Sequence, residues 1–561
     1  MKDTNVSELQ QFSLLVPDPN EKFFEISPNT RSDLSVEFLA ENIGHCPSEI
    51  KLITDVLTHI PTNPKTIAYR NDIYHELSSE PELCSKLHDI FSWLRARMPD
   101  HYIKKSNDLM VLVTRLTALR SYAFALTKIN ELISGHDFHS EGLKKLKKYV
   151  AGICEGSGFE ELGKDIGYAL RDIDNVRSVT LGVNLDSNFN VIESGLVSIN
   201  SFYFTEESVL KNFVKFHRND KFNDDNETLQ FKMTTHRNAY ETLELGVTGT
   251  TTGGNNMLMT NLNNIITRML PSTTSKVKKI IDKYADLSGK VLIDLTDEFL
   301  FYTRFIELEK RIKNAGLPVC TAETSSGDSE FTNLYNIKLA ICHVKGMVKE
   351  NIVCNDLSFT KERNIHILTG PNRGGKTIIT QALGLAFIMY QAGVFTPASA
   401  AKLRPCSGIY SHFPVEEEKT VSLGRLGEES ARFNEICKTA DSNSLILFNE
   451  SFATTSHTES LYIAEDVIKY LCCLGTRAFF NTHMHELAEH AEDFGKIPEA
   501  VCGADSLVME NENGKRSYKM VQKKPDGQSY AHEIAHKYGI TFEQLSQNLR
   551  HGSGPDAVPA T

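Results

Sequence analysis

The sequence predicts a multidomain protein: a C-terminal α/β P-loop domain, preceded by a mostly α-helical stretch that a small β-containing segment interrupts. Three observations predict it. Apolar residues recur at three- and four-residue steps through about 36–175, as in Leu109, Leu112, Val113 and Leu116, then Leu119, Ala123 and Leu126. The period changes to two at Val179, Leu181, Val183 and Leu185. Towards the C-terminus, the β-like runs NIHILTG, SLILFNE and TRAFFNTH are each followed by helix-like sequence, the pattern of a parallel sheet.

Taken in order, residues 1–35 are polar and carry Pro17, Pro19 and Pro28, and read as a loosely ordered arm. The helical stretch that follows has few breakers: a Pro61–Pro64 turn, Pro81 and Pro99. Asp186-Ser187-Asn188 offers a turn between two β-like runs ending near Ile199. Residues 217–256, ending in GVTGTTTGGNN, read as a flexible connection or the tip of an insertion. Helical spacing resumes over 257–315, interrupted at Pro271, and AGLPV with TSSGDS marks the next boundary.

Composition is that of a globular protein: 40% hydrophobic and 24% charged residues in 561. No apolar run reaches the ~20 residues that span a bilayer, and the N-terminus lacks the features of a secretion signal, so no membrane partner is expected. Eleven scattered cysteines without a CxxC pair fit reduced thiols and a cytoplasmic location, not a disulfide framework or zinc site. A net charge of −12 excludes a simple basic coat for nucleic acid. It leaves room for local basic surfaces such as Lys144, Lys145, Lys147 and Lys148, or Lys276, Lys278 and Lys279, although each also reads as a solvated helix face.

Gly370-Pro371-Asn372-Arg373-Gly374-Gly375-Lys376-Thr377 fits G-x4-G-K-[ST] in full, between the apolar run Ile365–Leu368 and the helix-like IITQALGLAFIMY. The glycines let backbone N–H groups converge on phosphate oxygens at a helix N-terminus. Lys376, taken as an exposed ligand, reaches the β- and γ-phosphates, and the Thr377 hydroxyl ligates Mg²⁺. Downstream, Leu445–Phe448 runs into Asn449-Glu450, the Walker B arrangement, with Glu450 placed to orient the attacking water. Position 449 normally holds Asp. Asn449 supplies an amide oxygen to the Mg²⁺ site but no countercharge, which predicts a slow ATPase unless Glu428 or Glu429 compensates. His483, His485, Glu486 and His490 also read as a rival metal cluster.

With these residues in view the chain resembles the MutS family, whose ATPase is of the ABC type. GPNRGGKT is similar to that family's P-loop, AGVFTPASAAKLRP to the stretch after the P-loop helix, and THMHEL to its switch-histidine segment, which implies that His483 senses the γ-phosphate. SYAHEIAHKYGI resembles the C-terminal dimerisation segment. NPKTIAYRNDIYHEL and SVTLGVNLDSNFNVIESGLVSI resemble, less closely, the helical core and the neck of the clamp. The resemblance implies an arm over 1–35, a helical core and lever over 36–176, a clamp-like insertion over 177–256, a lever return over 257–316, an ATPase domain with its dimerisation segment over 317–548, and a tail over 549–561.

It also implies ATP and Mg²⁺ as cofactors, and a homodimer in which a signature loop meets the partner's nucleotide. Ser422 in SLGRLGEE is the candidate donor, although the run also reads as an ordinary loop before a helix. Ile352 is colinear with the aromatic on which adenine often stacks in relatives, and it keeps apolar contact but not stacking. Ser451-Phe-Ala-Thr-Thr-Ser456 replaces the family's glycine-bearing G-x-G-T-S loop. About 35 residues precede the helical core, too few for a mismatch-recognition domain, and Phe23-Phe-Glu25 matches a Phe-x-Glu wedge that recurs five more times here. The resulting expectation is an ATP-gated dimeric clamp on duplex DNA, mismatched, branched or distorted, working with downstream repair proteins. The alternative is an ATP-gated protein scaffold without a DNA role.

Overall fold

The computed structural model describes residues 12–97, 109–174, 176–189, 191–203, 267, 270–284, 290–371, 373–414, 424–453, 456–512, 515–525 and 539–551. The chain divides into two compact units: residues 1–85, 138–144 and 297–561 form one, and residues 86–137 and 145–296 the other. The helical stretch read as one core over 36–176 is therefore shared between them.

The first unit opens with β1 (Phe23–Glu25), α1 (Pro28–Leu34), α2 (Val36–Ile43), α3 (Pro47–Thr58), β2 (His59–Pro61) and α4 (Pro64–Ser79). Prolines begin three of these helices, where a missing N–H costs nothing and φ is already helical. Ser27 and Asn63 cap the N-termini of α1 and α4, accepting from the N–H groups of Thr30 and Lys65. The expectation of a loose arm is thus corrected over residues 12–35. Leu14 and Leu34 are fully buried, β1 pairs with β2, and Arg70 donates from Nε to the Leu15 carbonyl at 2.7 Å.

The second unit holds α5 (Pro81–Arg95, entered from the first unit), α6 (Leu109–Ile133), α7 (Glu141–Cys154, likewise shared), α8 (Ser157–Asp174) and α9 (Pro271–Lys283). Between α8 and α9, β3 (Ser178–Leu185) and β4 (Val191–Asn200) form an antiparallel pair with two irregularities of register. This ribbon is the described part of the expected clamp-like insertion. α6, at 25 residues, is long and apolar enough by length and composition to cross a membrane, although charged residues interrupt its apolar run. Its Leu112, Leu116, Leu126 and Ile129 are buried, and the helix packs on α8 and α9. Lys147 donates to the His136 carbonyl at 2.6 Å, while Lys276, Lys278 and Lys279 are exposed on α9.

The chain re-enters the first unit along α10 (Lys290–Asn314). There Arg304 meets buried Glu49 through two bonds of 3.0 and 3.1 Å. Then come β5 (Glu323–Thr324), β6 (Ser329–Leu334), α11 (Ile337–Val344), β7 (Asn355–Phe359), β8 (Ile365–Thr369), α12 (Lys376–Ala392), β9 (Ala400–Leu403), β10 (Ile409–His412), α13 (Gly424–Thr439), β11 (Leu445–Asn449), α14 (His457–Leu474), β12 (Arg477–Asn481), β13 (Ala504–Glu512), β14 (Lys515–Gln522) and α15 (Phe542–His551). The main sheet runs β10-β11-β12-β8-β13-β14, parallel from β10 to β13 and closed by the antiparallel β13–β14 pair. A four-stranded sheet, β5-β9-β6-β7, accompanies it. Every residue of β8, β11 and β12 is buried, which accounts for their mostly apolar character; polar members such as His366 and Arg477 are buried with hydrogen-bond partners.

α12 is buried along most of its length. Gly393 ends it at φ 79°, and a Cβ there would lie 2.1 Å from the Arg70 Cβ, so only glycine permits this approach. α14 starts at a capping Ser456, whose hydroxyl accepts from the Glu459 N–H and donates to the Glu459 carboxylate.

Candidate functional site

The parallel sheet sets the site, because β8, β11 and β12 end side by side in register. Asn449 pairs with Asn481 across β11–β12, and Asn481 pairs with Leu368 across β12–β8. Loops leaving three neighbouring strand ends therefore converge on one mouth.

The P-loop turns from β8 into α12. Gly370 takes φ 141°, and a Cβ there would sit 2.7 Å from the Met509 Cβ. Arg373 adopts φ 58° and Gly375 φ 93°. The Gly374 N–H bonds the Pro371 carbonyl at 3.0 Å, and Asn372 lies outside the described residues. Lys376 is buried, not exposed as its sequence position suggested; it is 4% accessible, and its Nζ donates to the Gly370 carbonyl at 3.0 Å. Burial pushes its ammonium down to about 8, against the pull of Glu450.

Thr377 donates from Oγ1 to the Asn449 amide oxygen at 2.8 Å, and Asn481 Nδ2 donates to the same oxygen at 2.6 Å. Asn449 thus fills the acceptor role of an aspartate without its charge. The Asn481 Oδ1 is buried without a partner. Glu450 follows at φ 52°, a conformation that costs a non-glycine residue about 1–3 kcal/mol and is tolerated where geometry matters. Its N–H bonds the Asn481 carbonyl at 2.8 Å, and its carboxylate accepts from His483 Nε2 at 2.9 Å. That bond holds the Glu450 carboxyl below its ordinary range; burial opposes the effect and the charges of His483 and Lys376 assist it.

These groups border a cavity of about 390 Å³ whose lining includes Ile352, Arg373, Gly374, Gly375, Lys376, Thr377 and Glu450. The sequence-separated Ile352 is thereby brought to the P-loop. Two residues that sequence reasoning missed also belong here. Tyr518 on β14 lines the cavity 43% exposed, and its ring would lie 3.3 Å from a Cβ on Gly375. Asn355 on β7 fixes that strand: its Nδ2 donates to the Tyr518 carbonyl at 3.2 Å and its Oδ1 accepts the Met520 N–H at 2.7 Å. Nothing local in the sequence marks Tyr518, because only the β13–β14 reversal carries it back to the P-loop.

Other candidates are not brought to the cavity. Glu429 is 1% accessible, its carboxylate accepts the Phe452 N–H at 2.7 Å, and it does not line the cavity. His483 faces Glu450, Glu486 bonds His457 at 3.1 Å and His490 approaches Asp493 at 3.6 Å, so the rival histidine cluster does not converge. Among the described residues no group of three His, Cys, Asp or Glu side chains is placed to hold a metal. Ser422 and residues 529–538 of the dimerisation candidate lie outside the described residues.

The donor set fits a nucleoside triphosphate: a glycine cradle at a buried helix N-terminus, a buried lysine short of countercharge, and an apolar and aromatic side for a base. It fits Mg²⁺ more narrowly, through Thr377, the Asn449 oxygen and the single carboxylate of Glu450.

Comparison with known proteins agrees. Residues 366–548 match the family described as MutS domain V, and residues 62–315 match the MutS2 N-terminal domain. The chain is similar to the protein named Endonuclease MutS2 of Staphylococcus carnosus (strain TM300), 30% identical over 213 residues, covering 38% of this chain and 26% of that relative. It is 31% identical over 203 residues to Endonuclease MutS2 of Streptococcus equi subsp. equi (strain 4047), covering 36% of this chain and 25% of that relative. These matches span about a quarter of the relatives' length.

Proposed function

We propose that this chain, which belongs to the MutS family, is an ATP-hydrolysing, DNA-binding protein that works as a homodimer and uses ATP to close on, and release, branched, mismatched or otherwise distorted duplex. The observation that carries the reading is the convergence of the P-loop, the Thr377–Asn449 bond and the Glu450–His483 pair on one cavity.

In this reading the backbone N–H groups after Gly370 and the start of α12 receive the phosphates, and Lys376 turns from the Gly370 carbonyl to the β- and γ-phosphates. Ile352 and Tyr518 border the base, with Tyr518 supplying an aromatic face that Ile352 does not. Mg²⁺, held by Thr377 with the Asn449 oxygen behind it, would neutralise charge between the β- and γ-phosphates. Glu450, ionised and steered by His483, orients the attacking water, and His483 couples that carboxylate to the γ-phosphate. Because Asn449 contributes no charge, turnover is slow and the ATP-bound state is long-lived.

Dimerisation is assigned to the C-terminal segment, where Ile540, Phe542 and Leu545 are exposed. DNA is held mainly through phosphates and deformability, with the exposed lysines of α9 as one contributing surface. The relatives are named endonucleases; the reading stops at ATP-gated DNA binding. An anisotropy titration with four-way junction, mismatched and matched duplex, with and without ATP, tests it. Salt-sensitive, ATP-dependent binding that favours distorted DNA supports it. Binding to none of the three removes the DNA role and leaves a protein scaffold.

A further inference from the structure

α13 begins at Gly424, inside the run Ser422–Glu429 read as the candidate signature loop, and its second turn reaches the loop that carries Glu450. Glu429 on that turn is 1% accessible, and its carboxylate accepts the Phe452 N–H at 2.7 Å, two residues beyond Glu450. The backbone of the same residue is tied as well. His412, neutral because burial pushes it down to about 4, donates from Nε2 to the Glu429 carbonyl at 2.9 Å, and the His412 carbonyl accepts the Ser451 hydroxyl. Around these bonds the rings of His412 and Phe452 stack at 4.9 Å, and Phe433 of α13 meets Phe448 and Phe452 at 5.8 and 5.9 Å.

The turn needs such support. Glu450 and Phe452 both adopt left-handed conformations, at φ 52° and 62°, in a loop without glycine. An N–H buried inside that turn without an acceptor would be destabilising, so Glu429 stabilises this shape of the loop over alternatives.

We propose that Glu429 is a positioning residue for Glu450: its carboxylate keys α13 to the Glu450–Phe452 turn, so that the placement of α13 sets the water-orienting carboxylate. The proposal rests on the reading of the cavity as an ATP-hydrolysing site. It assigns Glu429 a hydrogen-bond acceptor's task, in contrast to charge compensation for Asn449, and the two tasks order conservative variants oppositely.

The test is single-turnover hydrolysis and ATP affinity for the parent, Glu429→Gln, Glu429→Asp and Glu429→Ala, each checked by thermal unfolding. Glu429→Gln keeps an acceptor oxygen at the same reach, so its hydrolysis rate stays within about threefold of the parent. Glu429→Asp keeps the charge but withdraws the oxygens by one methylene. It and Glu429→Ala lose about tenfold or more in rate, with ATP affinity changed by less than about threefold. Should the alanine protein not fold, the order of Gln and Asp decides alone. An Asp variant more active than the Gln variant overturns the proposal in favour of charge, and parental rates in all three overturn it outright. A parent that binds but never hydrolyses ATP removes the ATPase reading and this role with it, whereas an active parent with indifferent variants removes the role alone.

Discussion

Lys376 is a largely buried cation in the wall of the cavity, and its titration follows from that placement. In the free protein burial brings it to about 8; phosphates beside it favour the charged form and raise that value. Binding then takes up a proton wherever the pH lies between the two values. ATP affinity is therefore fully present below about pH 8 and falls by up to about tenfold per unit as pH rises above it. Calorimetric titration from about pH 7 to about pH 9.5 reads this directly; a flat profile contradicts it. Lys376→Ala abolishes nucleotide binding yet leaves the fold intact, because removing an ammonium that burial disfavours offsets the lost Gly370 bond and stem packing.

Asn449 is the second residue to test, since it accepts from Thr377 and Asn481 as an aspartate would. Asn449→Asp keeps the accepting oxygen, exchanges the amide NH2 for a second oxygen and adds a negative charge. It raises Mg²⁺ affinity and turnover about tenfold, on the order of one charge pair in a partly dry site. Unchanged Mg²⁺ dependence in that variant would show that the parent lacks nothing at this position. The P-loop and Walker B residues are legible in the sequence because each motif is contiguous. Tyr518 and Asn355 are not, because strand pairing alone brings them to the cavity.

Among elements, α12 shows how the nucleotide loop is built into the fold. Its Gln391 donates from Nε2 to the carbonyls of Pro61 and Cys406, at 2.8 and 3.0 Å, and accepts the Cys406 N–H at 3.0 Å. Its last turn closes on Arg70 through Gly393. Gly393→Ala combines a left-handed φ with a clash against the Arg70 Cβ and backbone, and destabilises the first unit by about 2–4 kcal/mol. Chemical denaturation reads this, and a change below about 0.5 kcal/mol would mean that the helix end has room to move. The prolines explain why the N-terminal segment reads as loose in sequence yet folds. Pro28 and Pro64 have the look of breakers, but both stand in the first turn of a helix behind a capping Ser27 or Asn63. α6 is apolar by composition although Arg115, Arg120 and Lys128 divide its apolar run in sequence.

At the scale of the molecule, the division into two units separates the α/β engine from the helical and β-ribbon part without following the chain in one pass. Periodicity gave the class of each stretch, but not that residues 12–85 belong with the sheet, since that depends on contacts such as Arg432 with Asp33 at 2.6 Å across the sequence. Deleting residues from 525 onward removes the exposed Ile540, Phe542 and Leu545 and yields monomers with little ATPase activity. A fully active monomer in sedimentation would mean that each site works alone.

In the proposed mechanism Glu450, strained and steered by His483 at the end of β11, turns bound ATP over. ATP binding and single-turnover hydrolysis by Glu450→Gln beside the parent test this. Glu450→Gln binds ATP within about threefold of the parent and hydrolyses it about a hundredfold or more slowly. Hydrolysis by Glu450→Gln at the parent rate would contradict this mechanism.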